Sequence, residues 1–135
     1  MVAMPEKFQQ FVKQFTGVID AHQGDEPAIL DKGGAILKQL IEKDDWLPER
    51  YAKPDAQYYQ QFLLYADPQD RFSVVSFVWG PGQKTPVHNH TVWALIGMMR
   101  GSEVGELFDF AADGKSMESH GLEQLNPGDV DCVSP

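Results

Sequence analysis

From Tyr58 onward the chain is cut into short apolar runs by turn-forming clusters at close intervals, and this punctuation constrains the fold more than any other feature. The runs "YYQQFLLYA", "RFSVVSFVWG", "TVWALIGMM", "EVGELFDFA" and "HGLEQLNPGDVDCV" are rich in Val, Phe, Leu and Tyr, and "DPQD", "GPGQKTP", "RGS", "ADGKS" and "NPGD" separate them. β-branched and aromatic side chains suit a pleated, half-buried surface, whereas Gly, Pro, Asn and Asp interrupt it. The intervals leave no room for a crossover helix between strands. The expectation is therefore a series of antiparallel strands over about residues 58–135, folded as a sandwich or barrel rather than as alternating βαβ units.

Before Tyr58 the period changes from two to 3.6. In "PEKFQQFVKQFTGVIDAH", Phe8, Phe11, Val12, Phe15 and Val18 recur at spacings of three and four, which predicts a helix with one apolar stripe and Pro5 in its first turn. A second helix is expected after Asp25, with Glu26 and Pro27 in its first turn and Leu30, Ile36, Leu37, Leu40 and Ile41 on its apolar side; Gly33 and Gly34 weaken its middle. These helices, over about residues 5–45, read as a layer laid on a larger β core. A chain of 135 residues fits one domain, 1–135.

Charge excludes some partners. Asp and Glu number 20 against 11 Lys and Arg, a formal net charge of -9. Such an excess opposes binding to nucleic acid or to an anionic membrane surface, both of which reward basic residues. A single cysteine, Cys132, leaves no intramolecular disulfide, and the opening "MVAMPEKFQQF" has charges and amides where a signal peptide needs an apolar core. These features predict a cytoplasmic protein. Cys132 has no basic neighbour in sequence and reads as a buried, inert thiol.

The chemistry-bearing element is "GPGQKTPVHNHTVWALIGMMRG", Gly80 to Gly101. On a strand, residues i and i+2 face the same side with Cα atoms roughly 6 to 7 Å apart, so His88 and His90 can share a metal ion while Asn89 faces away. An H-x-H pair alone is weak, because two solvated histidines look the same. Its surroundings add weight: Gly82 precedes His88 by six residues and Gly101 follows at the next turn. The segment resembles the first motif of the cupin superfamily, G-x5-H-x-H-x3-E-x6-G, with Ala94 in place of the glutamate. The wider stretch, with its "WGPGQ", "TPVHNHTVW" and "RG" elements, is similar to the thiol dioxygenases, the cupin branch that contains cysteine dioxygenase and 3-mercaptopropionate dioxygenase.

That resemblance implies a double-stranded β-helix barrel with an N-terminal helical segment, holding a non-haem Fe(II) ion. It makes His88 and His90 two of three histidine ligands. Three neutral imidazoles leave Fe(II) its full charge and open positions for an anionic substrate such as a thiolate. Gln61, in "YYQQF", matches the position of the arginine that grips the substrate carboxylate in cysteine dioxygenase, and glutamine there is typical of the bacterial mercaptopropionate branch. Ala94 stands where cysteine dioxygenase carries a cysteine crosslinked to tyrosine. Trp79 and Trp93 are candidate walls of the substrate cavity, although aromatics on barrel strands also serve as core. The implied reaction joins O2 to a small thiol carboxylic acid, 3-mercaptopropionate or cysteine, to give a sulfinate.

Other residues carry less. His120 reads as a solvated histidine, His22 as a helix-end imidazole that complements the dipole, Arg100 as a solvated turn charge, and Met98 and Met99 as packing. "GPG" lacks the lysine and helix of a phosphate loop. The family's third histidine lies in a segment resembling S-P-x-x-G-D-x-H, whereas this sequence reads "CVSP" and stops at Pro135. The expectation is an incomplete barrel lacking its C-terminal strands and third ligand, with self-association through the open edge. The competing expectation is a cupin that binds a metal or ligand without catalysis.

Overall fold

Phe8, Phe11, Phe15 and Ile19 fall on one side of a 3.6-residue period, and their burial defines the inner face of α1 (Glu6–Ala21). Ile19 takes the place in the stripe expected of Val18, which is half-buried. The computed structural model describes residues 4–86, 88 and 90–135. The expectation that Asn89 faces away from a metal lies outside them. α2 (Glu26–Ile41) starts at Asp25, whose carboxylate accepts a hydrogen bond from the Ala28 N–H, with Pro27 in the first turn where its missing N–H costs nothing. The two helices pack together, and α2 also lies on two strands described below. Among the described residues no helix is long and apolar enough to cross a membrane.

The core sits between the helices and the first strands. Phe8, Phe11, Phe15, Ile19, Ile29, Leu40, Trp46 and Leu64 form one buried cluster. Trp46, from the connection after α2, stacks on Phe8 at 5.5 Å between ring centroids. A 3₁₀ turn at Glu49–Tyr51 then leads to the β region.

Six strands follow among the described residues: β1 (Gln60–Ala66), β2 (Ser73–Val78), β3 (Ala94–Gly97), β4 (Glu103–Phe110), β5 (Met117–Leu125) and β6 (Val130–Val133). They form three two-stranded antiparallel sheets, β1–β2, β3–β6 and β4–β5, none of which closes on itself among the described residues. β3 and β6 are the strands that α2 covers. The "NPGD" cluster divides the last apolar run into β5 and β6, as its turn chemistry requires.

The second and third sheets are parts of one ribbon. Ala94 pairs with Val133 and Gly97 with Val130; past a bend, Glu103 pairs with Leu125 and the register runs on to Phe110 opposite Met117. Backbone bonds cross the bend, from the Met98 N–H to the Asp129 carbonyl (3.0 Å) and from the Gly128 N–H to the Met98 carbonyl (2.9 Å). A long hairpin is thus continuous across the bend, with its β3–β6 half held against α2.

Two ion-pair clusters fasten loops to the helical layer. Arg71, after β1, donates from Nε to Asp67 at 2.8 Å and from a terminal nitrogen to Asp20 of α1 at 2.5 Å. Arg100 is exposed, as expected of a turn charge, and also bonds Asp44 and Glu49, because the bend after β3 brings it alongside the acidic connection that follows α2.

Candidate functional site

The segment carrying the histidine pair lies between β2 and β3. His88 and His90 were expected on a strand, but neither belongs to one, and β3 begins only at Ala94. Pro81 and Pro86 each remove a ladder donor, and Gly80 and Gly82 favour a turn, so the approach to the pair cannot sustain sheet pairing. The rings nevertheless meet: their centroids are 5.2 Å apart, with the planes inclined at 70°. Both residues are exposed.

One histidine is oriented by its own loop. His88 Nδ1 lies 2.9 Å from the Pro86 carbonyl oxygen, which can only accept, so Nδ1 is the donor and Nε2 is the nitrogen that bears the lone pair in the neutral ring. This is the arrangement in which a backbone carbonyl fixes the tautomer of a metal-ligating imidazole. With metal–nitrogen bonds of about 2.0–2.1 Å, two imidazoles at right-angled to tetrahedral separation have centroids roughly 4.6–5.3 Å apart. The observed spacing fits two neighbouring ligands of one ion. Among the described residues no group of three His, Cys, Asp or Glu side chains converges as a metal site.

Gln61 and Trp79 come together through Tyr59. The Gln61 side-chain amide in β1 donates to the Tyr59 hydroxyl at 3.0 Å, and the Tyr59 ring stacks on Trp79 at 4.5 Å and 18°. Sequence reasoning did not single out Tyr59. It carries no motif signal; the β1–β2 register, with Gln60 opposite Val78, sets it across from Trp79, just after a turn at residues 55–58. That turn is built by Asp55, whose carboxylate accepts from the Gln57 and Tyr58 N–H groups and is held below the usual carboxylate range by those two bonds. Beside it is a surface cavity of about 430 Å3 lined by Gln57, Tyr58, Tyr59, Gly82, Gln83 and Lys84.

Trp93 belongs elsewhere. It is half-buried, stacks on Phe15 of α1 at 6.2 Å and packs against the helical core. With Arg71, Ile19 and Ile29 it lines a separate hollow of about 310 Å3. Its observed contacts are those of a core aromatic that ties the loop before β3 to the helices.

The remaining candidates sort by contact. His120 lies within β5, exposed, with Nδ1 3.1 Å from an Asp109 carboxylate oxygen on β4. Cys132 was expected to be buried but is exposed, lying on a short two-stranded sheet that leaves it open to solvent; partial desolvation, aided by the Asp131 and Asp31 carboxylates, still pushes its thiol up. Met99 packs against the core, as expected. His22 occupies the C-terminal cap of α1. No family model matches the chain.

Proposed function

We propose that the protein is a cupin-type thiol dioxygenase: with Fe(II), it converts a small thiol carboxylic acid and O2 into the sulfinate, R-SH plus O2 giving R-SO2H. The observation that carries this reading is the His88–His90 pair, with rings at a separation suited to one ion and His88 already oriented by Pro86. The continuous ribbon of β3–β6 and β4–β5 supports the fold side of the proposal, since a double-stranded β-helix is wound from such a ribbon.

His88 and His90 would hold the metal through ring nitrogens. Bound iron supplies Lewis acidity and O2 activation, and its charge lowers the pKa of a coordinating thiol. Gln61 presents an amide donor to the substrate carboxylate, and its bond to Tyr59 restricts where that donor points. Tyr59 and Trp79, stacked face to face, form an apolar wall that shields the reacting sulfur from water. The nearby Lys84 adds a positive charge that favours an anionic substrate in an otherwise acidic chain.

The test is aerobic incubation of the iron-loaded protein with 3-mercaptopropionate and, separately, with cysteine, following oxygen uptake and product mass. One O2 consumed per thiol, a product heavier by two oxygen atoms and loss of both in His88→Ala are expected. The convergence of only two ligands among the described residues favours a second reading, a cupin that binds a metal or ligand without catalysis. Iron uptake that depends on both histidines but brings no oxygen consumption with either thiol establishes that reading instead.

A further inference from the structure

We infer that Gln83 is the positioning residue that sets where the histidine pair stands relative to the Gln61–Tyr59–Trp79 cluster; the inference rests on the metal-site reading of His88 and His90. Gln83 engages three partners at once. Its N–H donates to the Gly80 carbonyl at 3.1 Å and its side-chain oxygen accepts from the Gly80 N–H at 2.5 Å, which closes the "GPGQ" turn from both ends. Its side-chain nitrogen donates to the Asp55 carbonyl at 3.0 Å, on the neighbouring turn that leads to Tyr58 and Tyr59. Among the described residues, this last bond is the only hydrogen bond that ties residues 80–92 to a part of the chain outside that segment.

The surroundings are shaped for this bond. Gly80 is buried, and a methyl group there would stand 3.1 Å from the Asp55 carbonyl oxygen and 3.2 Å from the Gln83 side-chain amide, a tight approach that would press the two turns apart by a few tenths of an ångström. From Gln83 the chain reaches Pro86, whose ring fixes φ and whose carbonyl holds His88 Nδ1. The path from the tether to the ligand is therefore short and stiffened at Pro86. An exposed loop with so few bonds has little else to set its position. Releasing the tether lets the pair drift from the wall and the carboxylate donor while leaving the buried helical core intact.

Three variants separate the tether from the local turn. Gln83→Ala removes both side-chain bonds. Gln83→Glu keeps an acceptor for the Gly80 N–H but sets a carboxylate against the Asp55 carbonyl. Gln83→Lys loses that acceptor and restores a donor to Asp55. Co(II) affinity is measured by titration for each, beside wild type and His88→Ala, with thermal unfolding as the control. Loss of groups that orient metal ligands typically costs about 10–100-fold in affinity, so Gln83→Ala and Gln83→Glu are expected to weaken Co(II) binding by about tenfold or more at unchanged melting temperature. Gln83→Lys is expected to recover most of it. Simple charge attraction predicts the opposite order, since an added carboxylate favours a cation and an added ammonium repels it. Wild-type affinity in Gln83→Ala, or Glu ranking above Lys, overturns the positioning role while Co(II) binding that is lost in His88→Ala still upholds the metal site. Wild-type protein that takes up no Co(II) overturns both.

Discussion

Phe15 of α1 lies directly over the backbone of Gly33 in α2: a methyl group on Gly33 would sit 2.6 Å from the Phe15 ring carbon Cε2 and 3.1 Å from Leu95 Cδ1. The helices and β3 meet at this point because no side chain holds them apart. Alanine is the better helix former by about 1 kcal/mol, yet overpacking a filled site costs about 1–3 kcal/mol. Gly33→Ala is therefore expected to lower stability in urea unfolding. Gly17→Ala, in α1 with nothing within 4 Å of its added methyl group, is expected to raise it by about 0.5–1 kcal/mol. Equal gains at both positions would contradict the close approach.

Acid should weaken the β1–β2 turn from which Arg71 reaches α1. The Arg71 side chain beside Asp67 holds that buried carboxyl below the usual carboxylate range, with the Arg71 N–H adding a further bond. The unfolded chain, with Asp67 near about 3.9, binds its proton at higher pH than the folded chain. The stabilisation is complete above that value and is lost as pH falls through the lower folded pKa. Unfolding midpoints measured from pH 6 downward should fall below about pH 4, and Asp67→Asn should reduce that slope. Part of it should remain, because Asp45, Asp55 and Asp113 are shifted in the same direction.

Periodicity revealed the two helices and the run of short strands, because burial of one face leaves a direct mark on residue spacing. It placed Phe8, Phe11 and Phe15 correctly and missed Trp46, which enters the core from an irregular connection where no period exists. Gly33 looked like a flaw in a helix; its purpose depends on Phe15, eighteen residues earlier, and on Leu95. The ion pairs of the exposed Arg100 went unseen for the same reason, its acidic partners being distant in sequence. The H-x-H spacing pointed to a shared face by strand geometry. The rings do lie together, but on a loop whose prolines exclude that strand.

Substrate preference provides a test of Gln61. An amide donates to a carboxylate but lacks the fixed charge and planar fork of a guanidinium. Gln61→Arg in the iron-loaded protein should raise kcat/KM for cysteine relative to 3-mercaptopropionate. The bond to Tyr59 predicts that Tyr59→Phe, which frees the amide, raises KM for both thiols with little change in their ratio. An unchanged ratio in Gln61→Arg would place the carboxylate elsewhere.

The β4–β5 half of the ribbon leaves large apolar side chains in solvent, among them Val104 at 61% exposure, Phe110 at 67% and Leu122 at 69%. Exposed apolar patches of this kind favour association, and charged residues on strands suppress it. Light scattering of the 135-residue chain should show concentration-dependent self-association that Leu122→Lys and Phe110→Lys diminish. A chain that stays monomeric at high concentration would show that this surface is tolerated as it stands.

The account depends most on the two histidines acting as ligands of one ion. Co(II) added to the metal-free protein reports this directly, through the visible absorption of a nitrogen-ligated ion and its stoichiometry. One Co(II) per chain is expected, with binding weakened by at least about tenfold in His88→Ala and in His90→Ala, in line with the loss of a ligand group, and unaffected in His120→Ala. Absence of binding, or binding that survives the His88→Ala/His90→Ala double variant, would contradict the account.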